Sequence, residues 1–347
     1  MAEMSSVDFS ADVEQHADTI IQVCSYHRRD FDLVVIRSRP HKMQQVQASL
    51  ESAFETSPTA DLGILGRLPP ELMWLTLHEL DIRSFFRFRQ VNRQARIIAT
   101  GLREYSLVSR YGLEGLRGLL RAELAPYFTI SDLYRPLVTD KCVTCGAFGG
   151  HLFLFTVERC CFNCLLSSTH YRVLAVSFFA KFARLSLPRL IRLTGPVLRT
   201  VPGIYNMLER PARRPKYIIF GSQAVQTLLA SEVIHERTAH RLRTRWTPRD
   251  YRFMTATAYP YYSVKDAKLE RGVSCKGCQI QNPSPHDVVI TYDRVFSTRG
   301  FLSHFLECEE AQRLWAASET GTQPIDEPEI TRSCGYFNRL GPDRLPA

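Results

Sequence analysis

The spacing of the cysteines constrains the fold of this chain more than any other feature. Two short groups contain eight of the ten cysteines, and only Cys24 and Cys334 stand apart. The first group has two C-x2-C pairs separated by fifteen residues, and the second has one C-x2-C pair followed, after twenty-five residues, by H-x3-C. Zinc binds four sulfur or nitrogen ligands in a tetrahedron, and such close pairs supply two ligands each. We therefore predict two zinc sites, with the ligands Cys142, Cys145, Cys161 and Cys164 in the first and Cys275, Cys278, His304 and Cys308 in the second.

The neighbours of these residues leave some alternatives open. Cys160 adjoins Cys161 and is an alternative ligand, and C-x2-C pairs also occur in redox proteins. His304 alone would be an ordinary polar histidine, but its spacing to Cys308 places both on one face of a helix that we expect over residues 298–315. Both predicted sites have four protein ligands and no position for water, which is typical of structural rather than catalytic zinc.

The composition is that of an ordinary globular protein. The chain has 347 residues, a length that corresponds to about two domains. Of these residues, 45% are apolar, and the net charge is +9. No apolar run approaches the roughly 20 residues of a membrane helix, and the acidic first fifteen residues do not resemble a secretory signal. We therefore expect a cytoplasmic or nuclear protein without membrane contact, where cysteines hold metal more often than they form disulfides.

The pattern of apolar residues, glycines and prolines predicts an α+β fold in four parts. Residues 1–60 are expected to form an N-terminal extension, partly helical or disordered, and residues 318–347 a flexible tail. We expect three short helices in residues 61–100 and a mixed α/β region with both zinc sites in residues 101–317. The expected helices are 70–79, 82–88, 90–99 and 223–229, with shorter ones within 18–31 and 42–54, and the expected strands are 151–155 and 216–220.

The segment LPPELMWLTLHELDIRSFFRFRQVNRQAR, residues 68–96, resembles an F-box. Two positions depart from the family pattern: Thr76 stands where an aliphatic residue is usual, and Ala95 where tryptophan is common. Other stretches resemble fungal F-box proteins, namely CVTCGAFGG (142–150), CCFNC (160–164), TVPG (200–203), GVSCKGCQ (272–279) and FLSHFLECEEAQRLW (301–315). The positions that match the F-box are Leu68, Pro69, Glu71, Leu72, Leu80, Ile82, Phe85, Phe86, Phe88, Val91 and Arg93.

This resemblance implies a function. F-boxes dock onto the Skp adaptor of cullin–RING ubiquitin ligases, so the chain would be a non-catalytic receptor subunit that recruits an unidentified target protein through its zinc-stabilised region. From this resemblance, the residues expected to bind the adaptor are Leu68, Pro69, Leu72, Leu80 and Val91. The alternative is that these side chains fill the core of a helical domain.

Two other functions compete with this interpretation. Residues 181–252 contain fifteen basic and four acidic residues, a net charge of +11, and could bind nucleic acid through phosphate contacts and aromatic stacking. The candidate stacking residues are Tyr205, Tyr217, Trp246 and Tyr251. An enzyme with a cysteine nucleophile would need a base such as His151 or His170, but the predicted zinc sites use those thiols, and no hydrolase, P-loop or metalloprotease motif is present.

Overall fold

The computed structural model describes residues 13–53, 57–206, 210–244, 247–281 and 293–335. Helices and short strands are both present along these ranges, so the protein has a mixed helix and sheet fold. The helices are α1 Ala17–Cys24, α2 Arg29–Leu33, α3 Pro40–Glu51, α4 Pro70–Glu79, α5 Ile82–Arg89, α6 Arg93–Gly101, α7 Arg103–Tyr111, α8 Leu113–Arg121, α9 Ile130–Leu137, α10 Phe162–Ser167, α11 Val176–Ala183, α12 Leu187–Thr194, α13 Gly221–Ala230, α14 Glu236–Thr244, α15 Asp250–Phe253, α16 Lys276–Gln281, α17 Thr298–Phe305, α18 Glu309–Ala317 and α19 Glu329–Arg332.

The strands are short and pair in five small antiparallel sheets. The strands are β1 Ser25–Tyr26, β2 His151–Phe153, β3 Glu158–Cys160, β4 Val173–Ala175, β5 Val197–Arg199, β6 Gly203–Ile204, β7 Pro211–Ala212, β8 Tyr217–Phe220, β9 Ala256–Ala258, β10 Tyr261–Ser263, β11 Lys268–Glu270 and β12 Ser274–Cys275. The two three-stranded sheets have the strand orders β3-β2-β9 and β4-β8-β5, and the pairs are β1-β12, β6-β7 and β10-β11.

The largest core lies between helices α5 to α9 and the sheet β3-β2-β9. Helix α8 packs closely on this sheet because glycine occupies position 115, where a Cβ atom would collide with the rings and methyls of Tyr259 and Leu152. Leu116 and Leu119 of the same helix are completely buried. The amphipathic pattern of α8 therefore buries one face against the strands, as expected of a helix with apolar residues three and four apart.

The sheet β4-β8-β5 separates this core from a second, outer core. Ile218 and Phe220 of β8 face the main core, whereas Ile219 faces the outer core together with Leu174. Side chains alternate between the two sides of a strand, so this run of apolar residues reflects burial on both faces. Helices α11 to α14 cover the outer side of the sheet and enclose the second core.

The N-terminal segment is part of the folded body. Helix α1 packs against α17 and α18, and strand β1 pairs with β12, with Ser25 opposite Cys275. Further along, the ring of Phe31 stacks on that of Phe162 with 3.6 Å between the centroids. Residues 13–53 therefore contribute to two of the three cores, and residues 1–12 lie outside the described part.

The expected flexible tail also differs from what the structure shows. Residues 319–335 return to the body, where the Lys276 ammonium lies 2.8 Å from the Glu327 carboxylate and the Arg29 amide donates a 2.9 Å hydrogen bond to the Cys334 carbonyl. Backbone and charge contacts rather than an apolar pattern hold this segment, which is why its sequence did not indicate order. Residues 336–347 of the expected tail lie outside the described residues.

Most expected helices and strands are found, with shifted ends. Helices α4 and α5 start at the expected residues 70 and 82. The Asp81 carboxylate caps α5 by accepting a hydrogen bond from the Ser84 amide at 3.0 Å. Helix α6 begins at Arg93, later than the expected residue 90, because the Asn92 side chain caps it through the Ala95 amide at 2.8 Å. The strand expected to reach residue 155 ends at Phe153.

None of the helices in the described residues has the length and apolar character to cross a membrane.

Candidate metal centres and docking face

The first cysteine group forms a compact cluster of four sulfur atoms. Cys142 and Cys145 lie on the turn before β2, whose backbone is closed by a hydrogen bond from the Gly146 amide to the Cys142 carbonyl. Cys161 precedes α10, and its sulfur accepts a hydrogen bond from the Cys164 amide. The sulfurs of Cys145 and Cys161 are 3.6 Å apart, and all four lie within 4.8 Å of one another. A tetrahedral zinc site with bonds of about 2.3 Å requires sulfurs about 3.8 Å apart, so the cluster has the right size.

The structure distinguishes the two adjacent cysteines. Cys160 ends strand β3, is completely buried, and packs in the main core. Cys161 follows it in extended conformation and therefore points to the other side, where its sulfur joins the cluster. Burial raises the pKa of Cys160 well above its usual value, so this thiol stays protonated.

The second group is also assembled around a common centre. The sulfurs of Cys275 and Cys308 are 3.8 Å apart, and the Cys278 sulfur lies 3.2 Å from Nε2 of His304. All four ligand atoms lie within 4.8 Å of one another. The ring of Phe296 stacks on the His304 imidazole with 4.6 Å between the centroids and so fixes the ring that presents Nε2.

The prediction of a single helix over residues 298–315 is wrong. Helix α17 ends at Phe305, and α18 begins at Glu309 with Cys308 as its N-cap at φ −99° and ψ 95°. His304 and Cys308 are thus not on one helical face. The break turns the Cys308 sulfur toward Cys275, whereas His304 projects toward Cys278. The structure does bring these two residues together, but across a break between two helices rather than on one helical face.

Both centres have the chemistry of closed metal sites. Contacts with the sulfurs of Cys278 and Cys308 raise the pKa of His304 to about 9, and a hydrogen bond with Cys161 lowers the pKa of Cys142 to about 4. A metal ion needs neutral imidazole and thiolate ligands, so its binding would replace the protons now shared within each group. Four thiolates, or three with one imidazole, in tetrahedral spacing suit zinc best.

A cavity of about 380 Å³ lies between the N-terminal segment and the first cysteine group. Phe31 and Phe162 form an apolar wall, and His27 and Arg271 line it together with Cys145. His27 bridges the Asp32 carboxylate at 2.8 Å and the Gly272 carbonyl at 3.1 Å. The cavity therefore exists only while the N-terminal segment is held in place.

The residues proposed for the competing functions have other roles in the fold. His151 is buried with Nε2 3.2 Å from the Phe31 carbonyl, and His170 pairs with Glu158 at 3.1 Å. Tyr205 is buried and donates to the Val201 carbonyl. Of the remaining candidate stacking residues, Tyr217 is exposed, Tyr251 is half-buried beneath the Lys216 ammonium, and Trp246 lies outside the described residues.

The nominated adaptor-binding residues lie mostly at the surface. Leu72 exposes 48% and Val91 69% of its surface, and Leu68 and Pro69 are also exposed. Leu80 is half-buried and packs against the main core, so it serves the interior at least in part. The core of this segment is formed instead by residues on the opposite side of the helices, which are Met73, Leu77, Ile82, Phe85, Ala95 and Ala99.

Sequence reasoning missed further members of this exposed set. Trp74 and Leu75 are exposed on α4, and Ile64 and Leu65 are exposed on the turn of 3-10 helix just before it. Leu75 follows Leu72 by three residues, and this spacing places both on one helix face. A groove of about 730 Å³ runs beside them and is lined in part by Leu65, Trp74 and Ile97.

The two departures from the F-box pattern fall in different environments. Thr76 is exposed, and its hydroxyl donates a 2.8 Å hydrogen bond to the Leu72 carbonyl one turn earlier. Ala95 is completely buried, so it reduces the volume of an interior side chain and does not alter the exposed face. Only Thr76 thus changes the chemistry of the surface around Leu72.

Comparison with known proteins identifies one domain. The family model for the F-box domain matches residues 65–107, which extends past the expected boundary at residue 100 into α7. Comparisons with curated proteins and with solved structures found no match. Residues 65–107 thus form an F-box domain, and the chain that follows carries two cysteine-rich groups arranged to hold metal ions.

Proposed function

We propose that this protein is a substrate-receptor subunit of a cullin–RING ubiquitin ligase. Its F-box, built on the three helices α4 to α6, would bind a Skp-type adaptor, and the region after it would bind a target protein. The observation that carries the proposal is the exposed apolar set of Leu68, Leu72 and Val91 on an F-box domain. Exposed apolar patches on a folded monomer often bind a partner.

The exposure of these side chains matters for the energy of docking. Burying a leucine or valine that is exposed in the free protein contributes roughly 1.5–3 kcal/mol when burial is complete. Leu72 and Val91 start with about half or more of their surface in water, so an adaptor groove would gain part of that free energy at each position. The interior residues Met73 and Leu77 already contribute to folding and have nothing further to gain.

The two cysteine-rich groups are proposed as structural zinc sites. Their ligands are those named from the sequence, with Cys161 rather than Cys160 in the first site, because only the Cys161 sulfur joins the other three. With four protein ligands each, the ions would supply folding free energy and no open position for a substrate. The chain itself would perform no chemistry, and tethering would raise the concentration of a target lysine near the ligase's catalytic subunits.

Binding of a purified Skp-type adaptor to the full chain tests the proposal. We expect Leu72→Asp and Val91→Asp each to weaken adaptor binding by at least about tenfold, since a carboxylate would be desolvated in an apolar interface. Leu269→Asp is the matched control, because Leu269 is similarly exposed on β11, outside the F-box domain. Equal binding by all three variants, or no binding by the native chain, would refute the proposal.

A further inference from the structure

A long part of the chain contains no acidic residue. From residue 159 to residue 208 there is neither aspartate nor glutamate, whereas arginine or lysine occurs seven times. This stretch includes α10, the outer helices α11 and α12, and the strands β4 to β6. Because nothing in it neutralises the basic side chains locally, the outer surface of these helices is positively charged.

Apolar side chains lie exposed on the same two helices. Phe182 on α11 exposes 38% of its surface, and on α12 Leu187 and Ile191 expose 48% and 39%. The rings of Phe178 and Phe182, one turn apart, pack against each other at 4.9 Å. Both helices bury their other faces in the outer core, which includes Phe179 and Leu190. A three-residue loop joins the two helices, which pack against each other.

Four cations lie on or next to the same two helices. Lys181 and Arg184 are exposed at the end of α11, and Arg189 and Arg192 are exposed on α12. Among the residues that the structure describes, none of these four forms an ion pair. We call the set Phe182, Leu187, Ile191, Lys181, Arg184, Arg189 and Arg192 the basic–apolar face.

We propose that the basic–apolar face binds an amphipathic protein segment whose apolar side chains are flanked by aspartate and glutamate. Burial of Phe182, Leu187 and Ile191 would contribute affinity, and the four cations would select the acidic partner and speed its association. The inference rests on the proposed function, for which it names the class of target: a protein with an acidic, apolar helix.

Other occupants fit this face less well. A second copy of the chain would bring two positive faces together, because a two-fold interface pairs the same patch with itself. Nucleic acid would pair with the cations, but of the three apolar side chains only Phe182 offers a ring on which a base can stack, and Leu187 and Ile191 would gain little. An anionic membrane requires deep insertion of a helix's apolar face, whereas these side chains are already more than half buried in the protein surface.

The test selects ligands for the full chain from a displayed library of helical peptides of about 15 residues, or four turns. The selected peptides are then measured against the native chain, Phe182→Ser/Ile191→Ser and Arg189→Glu/Arg192→Glu. The control Arg103→Glu/Arg110→Glu makes the same change of charge at two exposed positions of α7. Circular dichroism confirms that every variant keeps its helices, which is expected because all substituted residues are exposed.

We expect the enriched peptides to carry apolar residues three or four apart with flanking carboxylates. They should lose at least about tenfold in affinity for both test variants and keep it for the control, as charge and apolar contacts both contribute. The inference is overturned if the enriched peptides lack carboxylates or bind all variants equally. It is also overturned if no peptide is enriched. In that case, binding of a single-stranded RNA or of phosphatidylserine vesicles to the native chain and not to the test variants would identify the other occupant. Binding of the Skp-type adaptor is measured in a separate experiment. If the chain does not bind the adaptor, the proposed receptor function is refuted, but the peptide binding measured here still stands.

Discussion

Cys24 and Ala311 lie 287 residues apart in sequence, yet the thiol of Cys24 donates a 3.3 Å hydrogen bond to the Ala311 carbonyl. Next to this contact, Ser25 pairs with Cys275 in a two-stranded sheet. These contacts hold the N-terminal segment against the second metal centre. The same segment contributes Phe31 to the wall of the cavity beside the first metal centre. The two centres are therefore linked through residues 17–33.

The first prediction concerns this link. His304→Ala removes a ligand of the second centre, and we expect loss of about one zinc ion per chain with faster amide exchange in α1, α2, α17 and α18. The reason is that α1 packs directly on α17 and α18. Hydrogen exchange followed by mass spectrometry measures this, with His240→Ala as the control at an exposed histidine. Unchanged exchange in α1 and α2 would show that the segment does not depend on the second centre.

The second prediction separates the two adjacent cysteines. Cys161→Ser should lower the zinc content from about two ions per chain to about one, because serine is a poor replacement for a thiolate ligand. Cys160→Ala should keep both ions and lower only the stability, by roughly 1–2 kcal/mol, because it removes a buried sulfur. Metal analysis of the purified variants decides between them. The opposite pattern, with zinc lost from Cys160→Ala, would make Cys160 the ligand.

The third prediction concerns Arg159, which is completely buried. Its guanidinium donates hydrogen bonds to the carbonyls of Pro136, Gly149, Tyr259 and Pro260. It therefore joins the turn after the first C-x2-C pair to helix α9 and to the loop between β9 and β10. Burial lowers its pKa to about 10, so it remains charged near neutral pH. Each buried carbonyl that loses its partner costs about 1–3 kcal/mol.

Arg159→Met should therefore reduce the free energy of unfolding by more than about 3 kcal/mol. Thermal unfolding of the zinc-loaded protein measures the change as a lower Tm. The exposed Arg135, which lies 3.5 Å from Asp132, provides the control Arg135→Met, for which we expect a change within about 0.5 kcal/mol. Equal Tm values for the two variants would contradict this role.

The fourth prediction concerns the departure from the F-box pattern at Thr76. Thr76→Val replaces a hydroxyl with a methyl of equal shape on the exposed face near Leu72. If the adaptor covers this face, its affinity should rise by about three- to fivefold, which corresponds to roughly 0.8 kcal/mol for one buried methyl group. Calorimetric titration with the adaptor measures the effect. A loss of affinity would mean that the hydroxyl itself is recognised.

Local sequence signals predicted the parts of this structure that depend on near neighbours. The C-x2-C pairs bring their own sulfurs together because only one turn separates them, and Pro70 and Asp81 mark the starts of α4 and α5. The F-box was recognised from the resemblance of residues 68–96 to the family pattern, and the family match over residues 65–107 agrees. The helix break before Cys308 was not visible because the apolar pattern continues through it.

Features that depend on distant contacts could not be read from the sequence. The pairing of β1 with β12 involves two residues on each strand, too few to form a pattern. The burial of Arg159 contradicts the usual behaviour of arginine and follows from four carbonyls contributed by helix α9 and by two loops. The order of residues 319–335 depends on contacts such as Lys276 with Glu327, which link charges that alone would indicate a solvated surface.

Native mass spectrometry of the full chain mixed with a purified Skp-type adaptor tests the central claim most directly. The account predicts a complex of one chain with one adaptor that retains two zinc ions, one for each ligand group. It also predicts that a strong chelator removes both ions and unfolds the region after the F-box. A chain that contains no zinc when purified, or that stays folded in chelator and forms no complex with the adaptor, would contradict it.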